Sequence, residues 1–176
     1  GKGAMNETAA NAHTGTIAIG FDALLKVTNG SHNLAIGYQA ATTMTTAQQN
    51  IAIGKQALQT HLTGESNIAI GYYGALYSNT TGDHNIALGY YSLYSNTTAN
   101  YNIGIGYYSL RYANRTSDTD GYNIGLGYQA GDVITTGQYN TIIGTSADPS
   151  ANSASNQTVI GYNATGYGNN IAVIGK

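Results

Sequence analysis

The stretch Asn67-Ile68-Ala69-Ile70-Gly71-Tyr72 decides the fold, because it recurs along the whole chain. Counterparts of its glycine stand at Gly20, Gly37, Gly54, Gly89, Gly106, Gly127, Gly144, Gly161 and Gly175. The successive steps between these glycines are 17, 17, 17, 18, 17, 21, 17, 17 and 14 residues. So regular a step is the signature of a repeat architecture, in which each unit is too small to bury its own apolar face and is stabilised by its neighbours.

Each position in the repeat has a separate role. Four residues before the glycine stands an asparagine, at Asn33, Asn50, Asn67, Asn85, Asn102, Asn123 and Asn140. An Ile or Leu follows, then a small residue (Ala35, Ala52, Ala69, Ala87, Gly104, Gly125), then a second Ile or Leu. Apolar, small, apolar is a period-two alternation, which reads as a short strand. Glycine then turns a corner. A weaker stretch such as Ala57-Leu58 or Ser109-Leu110 follows, and a polar turn such as Thr80-Thr81-Gly82 closes the coil. The predicted fold is all-β: a β-solenoid, or β-roll, of about ten coils over residues 13–176. Residues 1–12 are set aside as an N-terminal leader or remnant. In a stack of such coils the seven asparagines lie one above another, so their amides form an inter-coil ladder. The isoleucines are expected inside the coil and the alanines outside, where their size admits a second backbone. A coil this short buries too little to offset its backbone entropy comfortably, so an intertwined or side-by-side homo-oligomer, a homotrimer first, is expected.

Composition narrows the function. Charged residues make up 8 % of the chain, against about 25 % in ordinary soluble domains. The net charge of −2 lacks the basic footprint of a nucleic-acid binder. No long apolar run calls for membrane insertion, and without cysteine there are no disulfides or thiolate metal sites. Carboxylates are scattered, and no nucleophile recurs beside a histidine and an acid. The expectation is a protein that is not an enzyme and uses no cofactor and no metal.

Segments such as Asn67–Tyr72 and Tyr77-Ser78-Asn79-Thr80-Thr81-Gly82 resemble the repeats of bacteriophage tail fibres. The Ala-Ile-Gly core is also similar to the YadA-like head of trimeric autotransporter adhesins and to related trimeric surface fibres. The resemblance spans about residues 14–175. It implies a homotrimeric extracellular fibre, on a virion tail or a bacterial cell surface, that attaches to a host, prey or other cell, with a surface glycan or receptor as partner. Two departures stand out: autotransporter heads repeat nearer fourteen residues, and no signal peptide, anchor or chaperone segment is seen. Alternative readings are a monomeric ice-binding type of solenoid, which would need a flat threonine array, and a glycan-degrading tail spike.

Several local patterns carry candidate chemistry. Tyrosines following the glycine (Tyr38, Tyr72, Tyr90, Tyr107, Tyr128, Tyr162) form one expected column, Tyr73, Tyr91 and Tyr108 a second, and Tyr77, Tyr94 and Tyr112 a third. Stacked aromatics supply packing area and sugar-stacking faces. The 21-residue coil concentrates charge at Arg111, Arg115, Asp118 and Asp120, and inserted loops on rigid scaffolds often bind. Candidate ligand-binding residues are therefore Tyr73, Tyr91, Tyr108, Arg111, Tyr112 and Arg115. His32 and His84 share the position before the asparagine with Gln49, Ser66, Tyr101, Tyr122 and Tyr139, which reads as an exposed site; His13 and His61 follow no pattern. Gly125-Leu126-Gly127-Tyr128-Gln129-Ala130 mimics a dinucleotide fingerprint without a βαβ context. Asp118-Thr119-Asp120-Gly121 is a calcium-loop fragment lacking the remaining ligands. Asn79, Asn96, Asn114 and Asn156 begin Asn-x-Thr triplets of the kind this composition produces by chance.

Overall fold

The computed structural model describes residues 2–5, 14–116 and 120–175. Its ten strands are β1 (Ile17–Ile19), β2 (Leu34–Ile36), β3 (Ile51–Lys55), β4 (Ile68–Tyr73), β5 (Ile86–Leu88), β6 (Ile103–Ile105), β7 (Ile124–Leu126), β8 (Thr141–Ile143), β9 (Thr158–Ile160) and β10 (Ala172–Ile174). They form one parallel sheet in chain order, a β-solenoid of about nine turns. Equivalent residues pair directly: Ile51 with Ile68, Ala52 with Ala69 and Ile53 with Ile70. Backbone bonding continues past the strands, as in Leu24 N–H to Ala40 O (3.0 Å) and Ala41 N–H to Ala57 O (2.9 Å). Each coil thus serves as the hydrogen-bonding template for the next.

The inside and outside of the strand are the reverse of the expectation. Ala35, Ala52, Ala69 and Ala87 are fully buried, whereas Ile17 is 53 % exposed, Ile19 55 % and Leu126 43 %. The small residue points into the coil and the two aliphatic residues point out. Alternation alone says that the two sets face opposite ways, not which set faces in. The opposite wall decides it. That wall delivers Leu24, Leu58, Leu76, Leu93 and Leu110, all fully buried, beside Ala23, Ala40, Ala57 and Ala75. A coil of seventeen residues has no room for a second layer of large side chains, so the strand contributes alanine.

The two walls trade volume. Where the strand has Gly104 in place of alanine, the facing position holds Ser92, whose Oγ donates to Gly104 O at 2.8 Å. A Cβ built on Gly104 would lie 2.6 Å from that Oγ. Ser109 and Gly125 repeat the arrangement one coil later, with Ser109 Oγ donating to Gly125 O at 2.8 Å. In the next coil the leucine column is vacated by Gly131, and the strand fills the space with the fully buried Ile142.

The corner glycines are required on two counts. Gly37 has φ +136, and a Cβ on it would lie 2.5 Å from Gly54 O in the next coil. That backbone region belongs almost solely to glycine. Leu24, Leu58, Leu76, Leu93 and Leu110 also adopt a left-handed conformation, φ 49–51. Such a conformation is unfavourable for a bulky residue and is held here by inter-coil bonds on both sides.

Irregular coil lengths are absorbed locally. In the 18-residue coil the register shifts after Ile53, so that Lys55 pairs with Tyr73. In the 21-residue coil Gly121 returns the chain to the stack, where any Cβ would collide with Asn102 Oδ1. Of residues 1–12, Lys2–Met5 are described. Lys2 O accepts from Asp22 N–H and Met5 N–H donates to Ala23 O, which puts Met5 in the column of Leu24. In sequence, too, Gly1-Lys2-Gly3-Ala4-Met5 aligns with Gly20-Phe21-Asp22-Ala23-Leu24.

Candidate functional site

The asparagine column forms the expected ladder. Each Oδ1 accepts both the backbone N–H and the Nδ2 of the next asparagine, as in Asn50 N to Asn33 Oδ1 (2.9 Å) and Asn67 Nδ2 to Asn50 Oδ1 (3.1 Å). The Nδ2 also donates to the turn that closes its own coil, for example Asn67 to Gly82 O at 2.8 Å. The ladder continues through Asn85, Asn102, Asn123 and Asn140 and ends on Gln157 N–H. All these side chains are buried, so the amides satisfy polar groups that water does not reach.

A second buried polar column runs beside the first, and the two share the turn carbonyls of Gly82 and Ala99 as acceptors. Asn96 Nδ2 donates to Asn79 Oδ1 (3.0 Å), and Asn79 Nδ2 donates to His61 Nδ1 (3.1 Å). His61 Nε2 lies 2.8 Å from Gly64 O, so the proton belongs on Nε2 and the ring is neutral. Burial lowers the His61 pKa, against smaller opposing contributions from Gly64, Asn79 and Asp83. Sequence reasoning missed this column. The signal was there, since His61, Asn79 and Asn96 share one position in the repeat with Met44 and Val27. Burial also removes Asn79 and Asn96 as sugar acceptors.

On the surface, aromatic side chains stack along the coils. Tyr90, Tyr107 and Tyr128 form a near-parallel stack with centroids 5.1 Å apart at each step, and Phe21 stacks on Tyr38 at 5.5 Å. Lys55 interrupts this column, with its Nζ 4.8 Å from the Tyr73 centroid and 5.9 Å from that of Tyr38. Tyr73, expected in the second column, therefore belongs to the first, and Tyr72 is the extra residue, 78 % exposed. The 18-residue coil supplied both tyrosines, and sequence spacing alone assigned each to a column one position too late.

Another aromatic column runs through His84, Tyr101, Tyr122 and Tyr139, at 5.1, 4.9 and 5.2 Å. It occupies the position expected to be merely exposed. Tyr122 Oη donates to Asp120 Oδ2 at 3.2 Å, and Asn100 Nδ2 donates to Asp120 Oδ1 at 3.0 Å. Asp120 is thus engaged in the turn, whereas Asp118, Thr119 and His13 lie outside the described residues. Among the described residues no cluster of His, Asp or Glu is arranged to hold a metal ion.

The structure brings together five of the six candidate ligand-binding residues. Tyr91 stacks on Tyr108 at 5.7 Å and meets Tyr73 edge-on at 5.3 Å. The Arg111 guanidinium lies 4.2 Å from the Tyr108 centroid, 4.9 Å from Tyr112 and 5.6 Å from Tyr91. Tyr77 and Tyr94 stack at 5.1 Å, and the next place in their column belongs to Arg111, not to Tyr112 as expected. Counting seventeen residues on from Tyr94 reaches Arg111. Arg115 stands apart from this group, its Nη1 donating to Thr136 O at 2.8 Å. Burial is the main cause that raises Tyr91 to about 12, while a hydrogen bond with Tyr108 is the first cause raising Tyr107 to about 12. Each of these two phenols is engaged in a hydrogen bond with a neighbouring one, Tyr91 with Tyr90 and Tyr107 with Tyr108.

Thr80 Oγ1 and Thr28 Oγ1 each donate to a carbonyl of the next coil, at 3.1 and 3.2 Å. That threonine column is interrupted by Leu62 and Asn114, so it presents no unbroken hydroxyl array. No helix among the described residues is long and apolar enough to cross a membrane. No family model, curated protein or solved structure matches this chain.

Proposed function

We propose that this chain is a structural and adhesive segment of an extracellular homotrimeric fibre, on a virion tail or a bacterial surface, that holds to another cell through surface glycans. The observation that carries the assembly is the outward aliphatic face. Two columns of Ile and Leu run side by side from β1 to β7, partly open to solvent in the single chain. A patch this long and continuous marks an interaction surface. Covering a half-exposed isoleucine completely is worth about 1 kcal/mol, so the whole face gives on the order of 10 kcal/mol per chain. A second copy is the natural occupant, because identical rungs present identical columns at the same spacing, and three copies close the faces around an axis.

Attachment then rests on repetition. Three chains present each aromatic column three times, and weak contacts combine through effective concentration. Light scattering tests the assembly: the expected mass is three times the 18.3 kDa of one chain. Ile53→Lys with Ile105→Lys sets unpaired charge in the face and is expected to give a monomer whose β-sheet circular dichroism is unchanged. A wild-type monomer sinks the fibre reading. A glycan array on the assembled species tests adhesion separately.

A further inference from the structure

The tyrosine columns offer fewer sugar-stacking faces than their number suggests. A pyranose stacks on an open ring face, yet Tyr90, Tyr107 and Tyr128 cover one another at 5.1 Å, and the Tyr108 face is taken by Arg111. What the cluster offers outward is donors. The Arg111 guanidinium rests on three rings with its Nε buried beneath the surface, which leaves its two terminal amino groups to face a ligand. The phenols of Tyr91 and Tyr107 are hydrogen-bonded to those of Tyr90 and Tyr108, so a linked set of hydroxyls lines the same rim. Asp132 is the acid closest in sequence register, one coil on in the column of Arg111. Burial raises its pKa and the Arg111 charge opposes that rise.

Building on the glycan-binding reading above, we infer that this cluster takes a sugar carrying an oxyanion, carboxylate or sulfate, rather than a neutral sugar. A planar guanidinium offers paired N–H donors to two oxygens of one anion, and phenolic O–H groups alongside it bond the same oxygens or neighbouring hydroxyls. Aromatic faces beneath the guanidinium hold it in one orientation, so little side-chain freedom is lost on binding. Stacking of further tyrosines on both sides repeats the polar rim along the axis, which suits an extended acidic polysaccharide. Asp132 tempers the site, since its carboxylate repels the anion that Arg111 attracts.

The test measures binding of the assembled chain to polygalacturonate, to its fully methyl-esterified form, to dextran sulfate and to dextran, at about 0.15 M salt. An acidic polymer is expected to bind at least about tenfold more tightly than its neutral counterpart, the scale of one charge-assisted hydrogen bond. The two acidic polymers separate carboxylate from sulfate. Arg111→Gln is expected to lose that margin, whereas Asp132→Asn is expected to strengthen binding, with scattering and circular dichroism reporting that both variants assemble. Equal affinity within both pairs, polygalacturonate against its methyl ester and dextran sulfate against dextran, or an Arg111→Gln variant that binds like wild type, overturns the inference. Binding confined to neutral sugars on the array overturns it too but keeps the glycan reading, whereas silence across the array removes both.

Discussion

Between β1 and β7 the strand keeps Ala or Gly inside and Ile or Leu outside; between β8 and β10 it places Ile142, Val159 and Val173 at the inward position and opens with Thr141, Thr158 and Ala172. On the opposite wall the change is reversed, because Leu110 is followed in its column by Gly131 and then Asp148. The C-terminal coils have moved their large side chain from one wall to the other. Neither of these two facing positions is constrained to a residue type; the summed volume they place in each rung is. The outward face changes with it, since the first aliphatic column gives way to threonine and the apolar strip narrows. Assembly through that strip is therefore expected to be tightest along β1–β7.

The largest test of this comparison is Ile142→Ala, which leaves a cavity opposite Gly131 and is expected to cost about 3–4 kcal/mol in denaturant unfolding. Gly131→Leu in that background should recover most of the loss, because leucine already adopts the same left-handed φ elsewhere in the column. If the double variant is as unstable as the sum of the singles, the walls do not trade volume. Next in size is Gly104→Ala, whose Cβ meets Ser92 Oγ at 2.6 Å. A loss of about 1–3 kcal/mol is expected, suppressed by Ser92→Ala, which recreates the alanine pair of the preceding coils.

Smaller effects separate the two regions by pH. His61, in the N-terminal part, is held neutral by burial, so its pKa is lowered from 6.5. Its contribution is present above that value and is lost as the pH falls below it, because the unfolded chain takes up a proton that the folded chain refuses. His61→Asn extends the adjoining asparagines and is expected to abolish this acid sensitivity. Asp148, in the C-terminal part, behaves oppositely. Burial, helped by Asp132 and countered by the Val133 backbone N–H, raises its pKa from 3.8 to about 6. The folded chain then holds the proton longer, so stability declines as the pH rises through that interval. Asp148→Asn should flatten the decline. Thermal melts across pH 4–8 showing the same slope for both variants would refute the assignment.

Much of this was visible in one dimension. The asparagine ladder was legible because a single residue type recurs at one position, and stacking equivalent positions is what a solenoid does. His61, Asn79 and Asn96 were not, since three different neighbours in the column (Met44, His61, Asn79) conceal that they share a site. Tyr73 was assigned to the wrong column because doubled tyrosines fit two registers, and only the inter-coil pairing of Lys55 with Tyr73 chooses; Tyr112 was placed one residue beyond the step of seventeen that leads from Tyr94 to Arg111. The pairing of Tyr91 with Tyr108 followed from spacing, whereas the docking of Arg111 on both rings and the direction taken by Arg115 toward the Thr136 carbonyl are tertiary contacts.

By itself, the sequence determined the period, the strand positions, the corner glycines and the buried amide column, because each is a local demand on one residue repeated at a fixed step. Only the tertiary structure decided which side of the strand is interior. That choice depends on the distance between two walls far apart in the repeat, and the leucines of one wall leave the other only enough room for alanine, turning the isoleucines outward to meet a partner.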